Sequence, residues 1–295
     1  MKTNPVFKRE TMVTARSFRL ALTLFLFNGV LALVALLNMY SMLAQVRLTA
    51  EIQYGSFMDL YLFVAVLEFV MLIFIMPAIS AGSISGERER QTLDLMLTTQ
   101  MTPTDIVLGK LAASLSTMFL LILSSLPILA MVFVYGGVTV NDLVMLLVCL
   151  VVAGLLVGSL GMCCSALFKK STLATVVTYA LMGVLVFGTY GVNRFAHYMS
   201  GAATPRNMSA AIGLPAVGTS GMLQYLLLIN PASTFLASMI QLTSGTVGAS
   251  GGVYGTAAAG MNVIQINWIP VSIGVQFGLA VVMIWLAIRA VSAKR

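Results

Sequence analysis

The segment LYLFVAVLEFVMLIFIMPAIS, which runs from Leu60 to Ser80, carries a single formal charge, Glu68. A run of about 20 apolar residues is long enough to cross the hydrocarbon core of a bilayer as an α-helix. Five more windows of this kind are present: Leu20–Leu43, Leu111–Tyr135, Leu143–Leu167, Thr172–Tyr190 and Ile269–Ile288. The sequence therefore predicts an all-α integral membrane protein with six transmembrane helices.

The composition places most of the protein surface in lipid rather than in water. Charged residues make up 8% of the 295 residues and the mean hydropathy is +1.00, whereas about a quarter of the residues of a soluble domain are charged. The apolar runs fill most of the chain, so residues 1–295 are expected to form one transmembrane domain. The net charge of +7 comes from short basic clusters beside the apolar runs, not from the basic face that binds nucleic acid.

The basic residues predict which helix ends face the cytoplasm. With both termini inside, thirteen Lys and Arg residues lie on the cytoplasmic side, and only Arg47, Arg194 and Arg206 lie outside. Cytoplasmic loops of membrane proteins are enriched in Lys and Arg. We therefore expect a multi-pass protein with both termini in the cytoplasm.

A seventh apolar segment, Tyr225–Leu242, is interrupted near its middle by Asn230–Pro231. If it crossed the membrane, the basic residues at the C-terminal end of the chain would move to the outside, against the charge pattern. We expect a re-entrant or interfacial helix pair in the outer leaflet, shielded by protein because irregular backbone is not tolerated in bare lipid.

The loop after the first quoted segment concentrates charges of both signs. It reads GSISGERERQTLDLMLTT from Gly82 to Thr99. On a helical wheel Glu87, Arg90 and Asp94 share a face. Two interpretations stay open: a short helix that moves the spans on either side of it, or a solvated loop with local ion pairs.

The helix after this loop has a recognisable start. Thr102-Pro103-Thr104-Asp105 supplies a hydroxyl cap, a proline at the first helical position and an acid at the third. The third span is expected to begin there and to include Gly109 and Lys110.

The N-terminal stretch NPVFKRE, residues 4–10, is basic with apolar residues interleaved, and it continues through Arg16 and Arg19 into the first span. It is typical of a helix on the inner membrane face that is available to a cytoplasmic partner. A simple positive anchor would have the same composition.

Residues Gly82 to Lys110 resemble ATP-binding-cassette (ABC) transporter permeases of the type-two export class. The resembling elements are SGERERQTLDLMLTT (Ser85–Thr99), Thr102-Pro103 and Leu108-Gly109-Lys110, and NPVFKRE is similar to the interfacial elbow helix of that family. Gln100 departs from the pattern, in which a proline follows the paired threonines. The six spans and the helix pair before the last span agree with the topology of the family.

The resemblance implies the permease subunit of an ABC exporter, which is not itself an enzyme. Its partners would be ABC ATPase subunits, which hold ATP and Mg²⁺, and a second permease copy, identical or related. This chain has no G-x-x-x-x-G-K-[ST] phosphate loop, so no cofactor and no metal is expected in it. The expected location is the plasma membrane of a bacterium.

The resemblance also assigns roles to two groups of residues. Gly86–Leu97 would be the coupling helix that contacts the ATPase, through Gly86, Glu87, Arg88, Glu89, Arg90, Thr92, Leu93 and Leu97. The elbow helix would include Phe7, Lys8, Arg9, Glu10, Arg16 and Arg19.

Glu68 is an ionisable residue inside a span, which is costly and often functional. It could line a translocation path or carry a proton, or it could be protonated or hydrogen-bonded at a helix contact. The first role would suit a secondary transporter or channel driven by an ion gradient. A membrane scaffold that transmits force or signals is a further alternative, and the sequence does not identify a substrate.

Small residues mark one face of the fourth span: Gly154, Gly158 and Gly161. They predict a close helix contact, either within the chain or between subunits.

Overall fold

The computed structural model describes residues 5–49, 55–93, 101–135, 139–203, 221–244 and 268–292, which are helical almost throughout and include no strand. A π-helical turn (Val184–Gly188) follows α7, and a 3₁₀ helix (Gly221–Ile229) precedes α9. The α-helices are α1 (Pro5–Ala15), α2 (Phe18–Thr49), α3 (Gly55–Ser80), α4 (Ser85–Glu89), α5 (Pro103–Tyr135), α6 (Val140–Leu167), α7 (Ser171–Gly183), α8 (Thr189–Ala203), α9 (Pro231–Ser244) and α10 (Trp268–Ser292).

Six helical segments among the described residues are long and apolar enough to cross a membrane, which confirms the predicted all-α membrane fold. More than half of the most apolar window is buried in α5 and in α6, against 11% in α2. The segments α5 and α6 are therefore central, and α2 is peripheral. The spans are Phe18–Ser41, Leu60–Glu89, Pro103–Ala130, Val140–Leu167, Ser171–Ala196 and Trp268–Ser292.

Two of these spans begin at capping boxes. The Asp105 N–H donates to Thr102 Oγ1 at 3.2 Å and the Thr102 N–H donates to Asp105 Oδ2 at 3.3 Å, so the predicted start of α5 is confirmed. Thr139 and Asp142 form the same reciprocal pair before α6. Each pair satisfies N–H groups that the first turn of a helix leaves without partners.

The chain divides into two compact units, and the first comprises Met1–Thr178 and Ala280–Arg295. In it α3, α5 and α6 pack against one another, α1 lies against α5, and α2 lies against α3 and α5. A Cβ atom at Gly154, Gly158 or Gly161 would overlap side chains of α5 or α3. The small-residue face of the fourth span therefore makes its close contact within the chain.

The second unit, Tyr179–Leu279, contains the predicted helix pair. The 3₁₀ helix and α9 meet at Asn230 with a bend of 95°, which confirms a broken pair rather than a straight seventh span. The Asn230 amide donates to Val186 O at 3.0 Å and to Thr189 Oγ1 at 2.8 Å, and its oxygen accepts from the Ala232 N–H at 2.9 Å. Buried side chains thus supply partners for the broken backbone. The outer-leaflet position stays a prediction.

Candidate functional site

The charged loop forms a shorter helix than the sequence predicted. α4 contains five residues, Ser85–Glu89, and Gln91 has φ of 58°, a left-handed conformation that interrupts an α-helix. Helical geometry resumes at Thr92 and Leu93. The prediction of a continuous helix over Gly86–Leu97 is therefore wrong, and the wheel that joined Glu87 to later residues does not apply across Gln91. Leu97 itself lies outside the described residues.

The N-terminus of α4 is capped by a side chain from another helix. Ser165 Oγ, in α6, accepts hydrogen bonds of 2.9 Å from the N–H groups of both Ile84 and Ser85. Ile84, at the N-cap position, makes no side-chain cap of its own. Because the N–H groups of a first turn have no partner inside the helix, Ser165 fixes the start of α4 to the C-terminal end of the fourth span.

Lys110 joins α4 to the N-terminal helix. Its Nζ lies 3.0 Å from Glu10 Oε1 of α1 and 3.3 Å from Glu87 Oε1 of α4, and the lysine side chain is almost fully buried. Thr92 Oγ1 donates to the other Glu87 carboxylate oxygen. One buried cation thus holds the predicted elbow and the predicted coupling segment against the start of α5.

Arg88 and Glu89 bind the connection between α6 and α7. The Arg88 guanidinium donates to the carbonyl oxygens of Phe168 at 2.9 Å and Ala166 at 3.1 Å. Glu89 accepts from the N–H of Ser171 at 2.9 Å and from its hydroxyl at 2.6 Å. A cation at the C-terminal end of α6 and an anion at the N-terminal end of α7 both complement the helix dipoles.

Apolar contacts also hold the charged loop in place. Ile84 and Leu93, on either side of the charged residues, are buried in one cluster. The cluster also contains residues of α5, α6 and the C-terminal half of α10: Val107, Leu111, Met162, Cys163, Ala166, Ala287 and Val291. Arg90 and Gln91 are exposed between these two buried anchors.

The predicted elbow residues divide into buried and exposed sets. Val6 is buried and Phe7 and Glu10 are half-buried, whereas the basic residues Lys8, Arg9, Arg16 and Arg19 are exposed. α1 ends at Ala15 and α2 begins at Phe18, so the chain turns between them. Of the predicted elbow set, Glu10 is the residue that reaches the charged loop through Lys110.

Glu68 lies apart from this loop, buried between α3 and α5. The Ser125 hydroxyl donates to Glu68 Oε1 at 2.5 Å, and Glu68 Oε2 has no hydrogen-bond partner among the described residues. The geometry is that of a hydrogen-bonded helix contact, one of the two roles left open by the sequence. No group of three or more His, Cys, Asp or Glu residues in the described part of the chain is placed to hold a metal ion.

Sequence reasoning missed Ser165, Ser171 and the ion-pair role of Lys110. Serine at a helix end is common, and nothing in the local sequence distinguishes these two from the other serines. Lys110 counted only as a basic residue beside a span. Its two carboxylate partners are 100 and 23 residues away along the chain, beyond the reach of a local pattern.

Comparison with known families finds one match over most of the chain. A family described as "ABC-2 family transporter protein" matches residues 20–289. The matched range includes the charged loop, most of each span and the bent helix pair, and it leaves α1 outside. Comparison with curated proteins finds no match.

Proposed function

This chain belongs to the ABC-2 family of transporter proteins and is a membrane permease of an ABC transporter, and we propose that ATP hydrolysis in a separate ATPase subunit drives it through α4. The family implies association with ABC ATPase subunits and with the membrane. We further propose that the permease is an exporter, that both termini are cytoplasmic, and that two permease copies, identical or related, enclose the path.

The observation that carries this proposal is the number of helices to which α4 is fixed. Lys110 connects it to α1 and α5, Ser165 and Arg88 connect it to α6, and Glu89 connects it to α7. Coupling between distant sites is carried by contiguous packed and hydrogen-bonded groups. A displacement of α4 is therefore passed to the third, fourth and fifth spans together, and not only to the spans next to it in sequence.

The charged residues of the loop then divide into two roles. Glu87, Arg88 and Glu89 hold α4 in place through contacts within the chain. Arg90 and Gln91 are exposed and are the residues offered to the ATPase. In this mechanism closure of the ATPase subunits around ATP and Mg²⁺ pushes α4, and the attached spans tilt to open the path outward.

Site-specific crosslinking tests the contact. Gln91→Cys places a thiol beside α4, and the three native cysteines, Cys149, Cys163 and Cys164, are buried, so a maleimide–diazirine reagent reacts first at position 91. The matched control is Tyr40→Cys, an exposed site on α2. Tyr40 is 20 residues further along α2 than Leu20, which stands near the start of this helix. The separation is about 30 Å along the helix axis, so Tyr40 is far from the end of α2 that is near α4.

The expected result is a crosslink from position 91, and not from position 40, to a co-purified subunit that contains a phosphate loop and hydrolyses ATP. A crosslink of equal yield from both positions contradicts the proposal. So does a purified, transport-competent protein with no nucleotide-hydrolysing subunit.

A further inference from the structure

A cavity of about 470 Å³ lies between α1, α2, α4, α5 and the end of α3. Five charged residues line it: Glu10, Arg19, Glu87, Arg90 and Lys110. Six serine and threonine residues also line it, and the hydroxyls of five of them donate to nearby backbone carbonyl oxygens. The cavity is large enough for a small polar group, and it lies where two spans begin and one ends.

The charges of the cavity leave two cations without an ion-pair partner. Lys110 is already paired with Glu10 and Glu87. Arg19 and Arg90 are exposed, and neither forms a salt bridge with any carboxylate in the described part of the chain. Guanidinium groups bind phosphate through paired N–H donors. The cavity therefore favours a phosphate group.

On the α2 side, the cavity lies beside exposed apolar side chains. Arg19 and Thr23 line the cavity, and Phe18, Leu22 and Phe25 on the same two turns are 80%, 45% and 74% exposed. These apolar side chains belong to α2, a candidate span of whose most apolar window only 11% is buried. A phosphate that carries acyl chains could use both surfaces, whereas a free phosphate would use only the cavity.

We propose that this cavity binds the headgroup phosphate of a phospholipid from the leaflet on the side of α4. The phosphate oxygens accept hydrogen bonds from Arg19 and Arg90, and the acyl chains lie along Phe18, Leu22 and Phe25. Arg90 is also one of the two residues proposed to contact the ATPase, so the lipid is titrated in the absence of an ATPase subunit and the two proposals are tested separately.

The test is native mass spectrometry of the purified full-length protein, titrated in detergent with dioleoylphosphatidylglycerol. The variant R19Q/R90Q removes both guanidinium groups. The control R16Q/R289Q removes the same charge from two exposed residues that do not line the cavity. We expect the double cavity variant to bind the lipid at least tenfold more weakly, because each charge-assisted contact contributes about tenfold or more. The control should stay within about twofold of the unmodified protein.

Two further experiments identify the source of the phosphate and keep the proposal testable if the double variant does not fold. Soluble glycerol phosphate should not displace the lipid at equal concentration, since it lacks acyl chains. If R19Q/R90Q does not fold, Ala113→Phe, which places an aromatic ring at a position that lines the cavity and keeps every charge, should also weaken lipid binding. Equal lipid binding by the cavity variants and the control overturns the proposal, and displacement by glycerol phosphate assigns the site to a soluble phosphate instead.

Discussion

Lys110 Nζ of α5 lies 3.0 Å from Glu10 Oε1 of α1, which connects the N-terminal helix to the start of the third span. The same nitrogen contacts Glu87 of α4, so three separate segments share one buried cation. The lysine is 4% exposed, while the carboxylates of Glu10 and Glu87 are 29% and 20% exposed. Loss of the lysine would leave two partly buried carboxylates without the ion-pair partner that they share.

Lys110→Met should lower the free energy of unfolding by about 1–3 kcal/mol, the range for a lost hydrogen bond to a charged group. Partial exposure of the carboxylates places the effect below that of a fully buried pair, because water screens the residual repulsion. The measurement is thermal unfolding in detergent.

Glu10→Gln provides the matched control for Lys110→Met. It keeps the Lys110–Glu87 contact and should lower the free energy of unfolding by less than the lysine replacement does. Residues of one ion-pair network are not additive, so the double variant should cost at least about 0.5 kcal/mol less than the sum of the two single variants. Strict additivity would mean that the two residues do not interact in the membrane protein.

Ser165→Ala should release the start of α4. It removes the acceptor for the N–H groups of Ile84 and Ser85, and loss of an N-cap costs about 1 kcal/mol. Hydrogen exchange should accelerate in the peptide that contains these two amides. Ser159→Ala is the control, because Ser159 is equally buried in α6 and its hydroxyl donates to Leu156 O within its own helix. Equal acceleration in the two variants would rule out a capping role for Ser165.

The spans, the start of α5 and the broken helix pair were all predictable from the sequence, because each depends on local signals. A run of twenty apolar residues, a capping box and an Asn-Pro pair are each contained in one continuous stretch of sequence. Orientation is predicted from charge counts in the same way.

The internal contacts of the charged loop were not predictable, because their partners are distant in sequence and partly backbone. The guanidinium of Arg88 bonds to the carbonyl oxygens of Ala166 and Phe168, which every residue type possesses. The left-handed φ of Gln91 falls between Ile84 and Leu93, which are buried in one cluster with residues distant in sequence. A helical wheel assumes a continuous helix and therefore cannot detect this break.

Gly161→Ala should destabilise the protein by about 1–3 kcal/mol, the range for overpacking. The added Cβ would overlap the Ser80 hydroxyl and lie 3.2 Å from the Ala81 backbone nitrogen, so backbone as well as side chain must move. Gly154→Ala should cost less, because it meets the flexible end of Met118.

Gly29→Ala is the control for the glycine series, because nothing lies within 4 Å of its added Cβ. It should leave thermal stability unchanged or slightly raised, since alanine favours a helix over glycine. A Gly161→Ala protein as stable as Gly29→Ala would show that α3 and α6 are less tightly packed than described here.

Asn230→Ala should loosen the bent helix pair. It removes the donors to Val186 O and Thr189 Oγ1 and the acceptor for the Ala232 N–H, and buried groups left without partners cost about 1–3 kcal/mol. Asn230→Ser keeps a capping oxygen, so its hydrogen-exchange rate should lie between those of Asn230→Ala and the unmodified protein. Hydrogen exchange of the 3₁₀ helix Gly221–Ile229 gives the readout, and unchanged protection in Asn230→Ala would contradict the role assigned to the amide.

Glu68→Gln separates the two functions that the sequence left open for this residue. Glutamine keeps an oxygen that accepts from Ser125 Oγ, which lies 2.5 Å from Glu68 Oε1. A structural role therefore predicts thermal stability within about 1 kcal/mol of the unmodified protein and unchanged ATP-driven turnover with the partner ATPase.

Ser125→Ala should be the more harmful change. It leaves Glu68 Oε1 without its donor while Oε2 has no hydrogen-bond partner among the described residues, and an unsatisfied buried polar group costs about 1–3 kcal/mol. A proton carrier predicts the opposite order, because glutamine cannot titrate: Glu68→Gln would then abolish flux in a stable protein, and flux would persist without an ATPase. The order of these two variants in stability and in flux thus decides between a helix contact and an ion-coupled path.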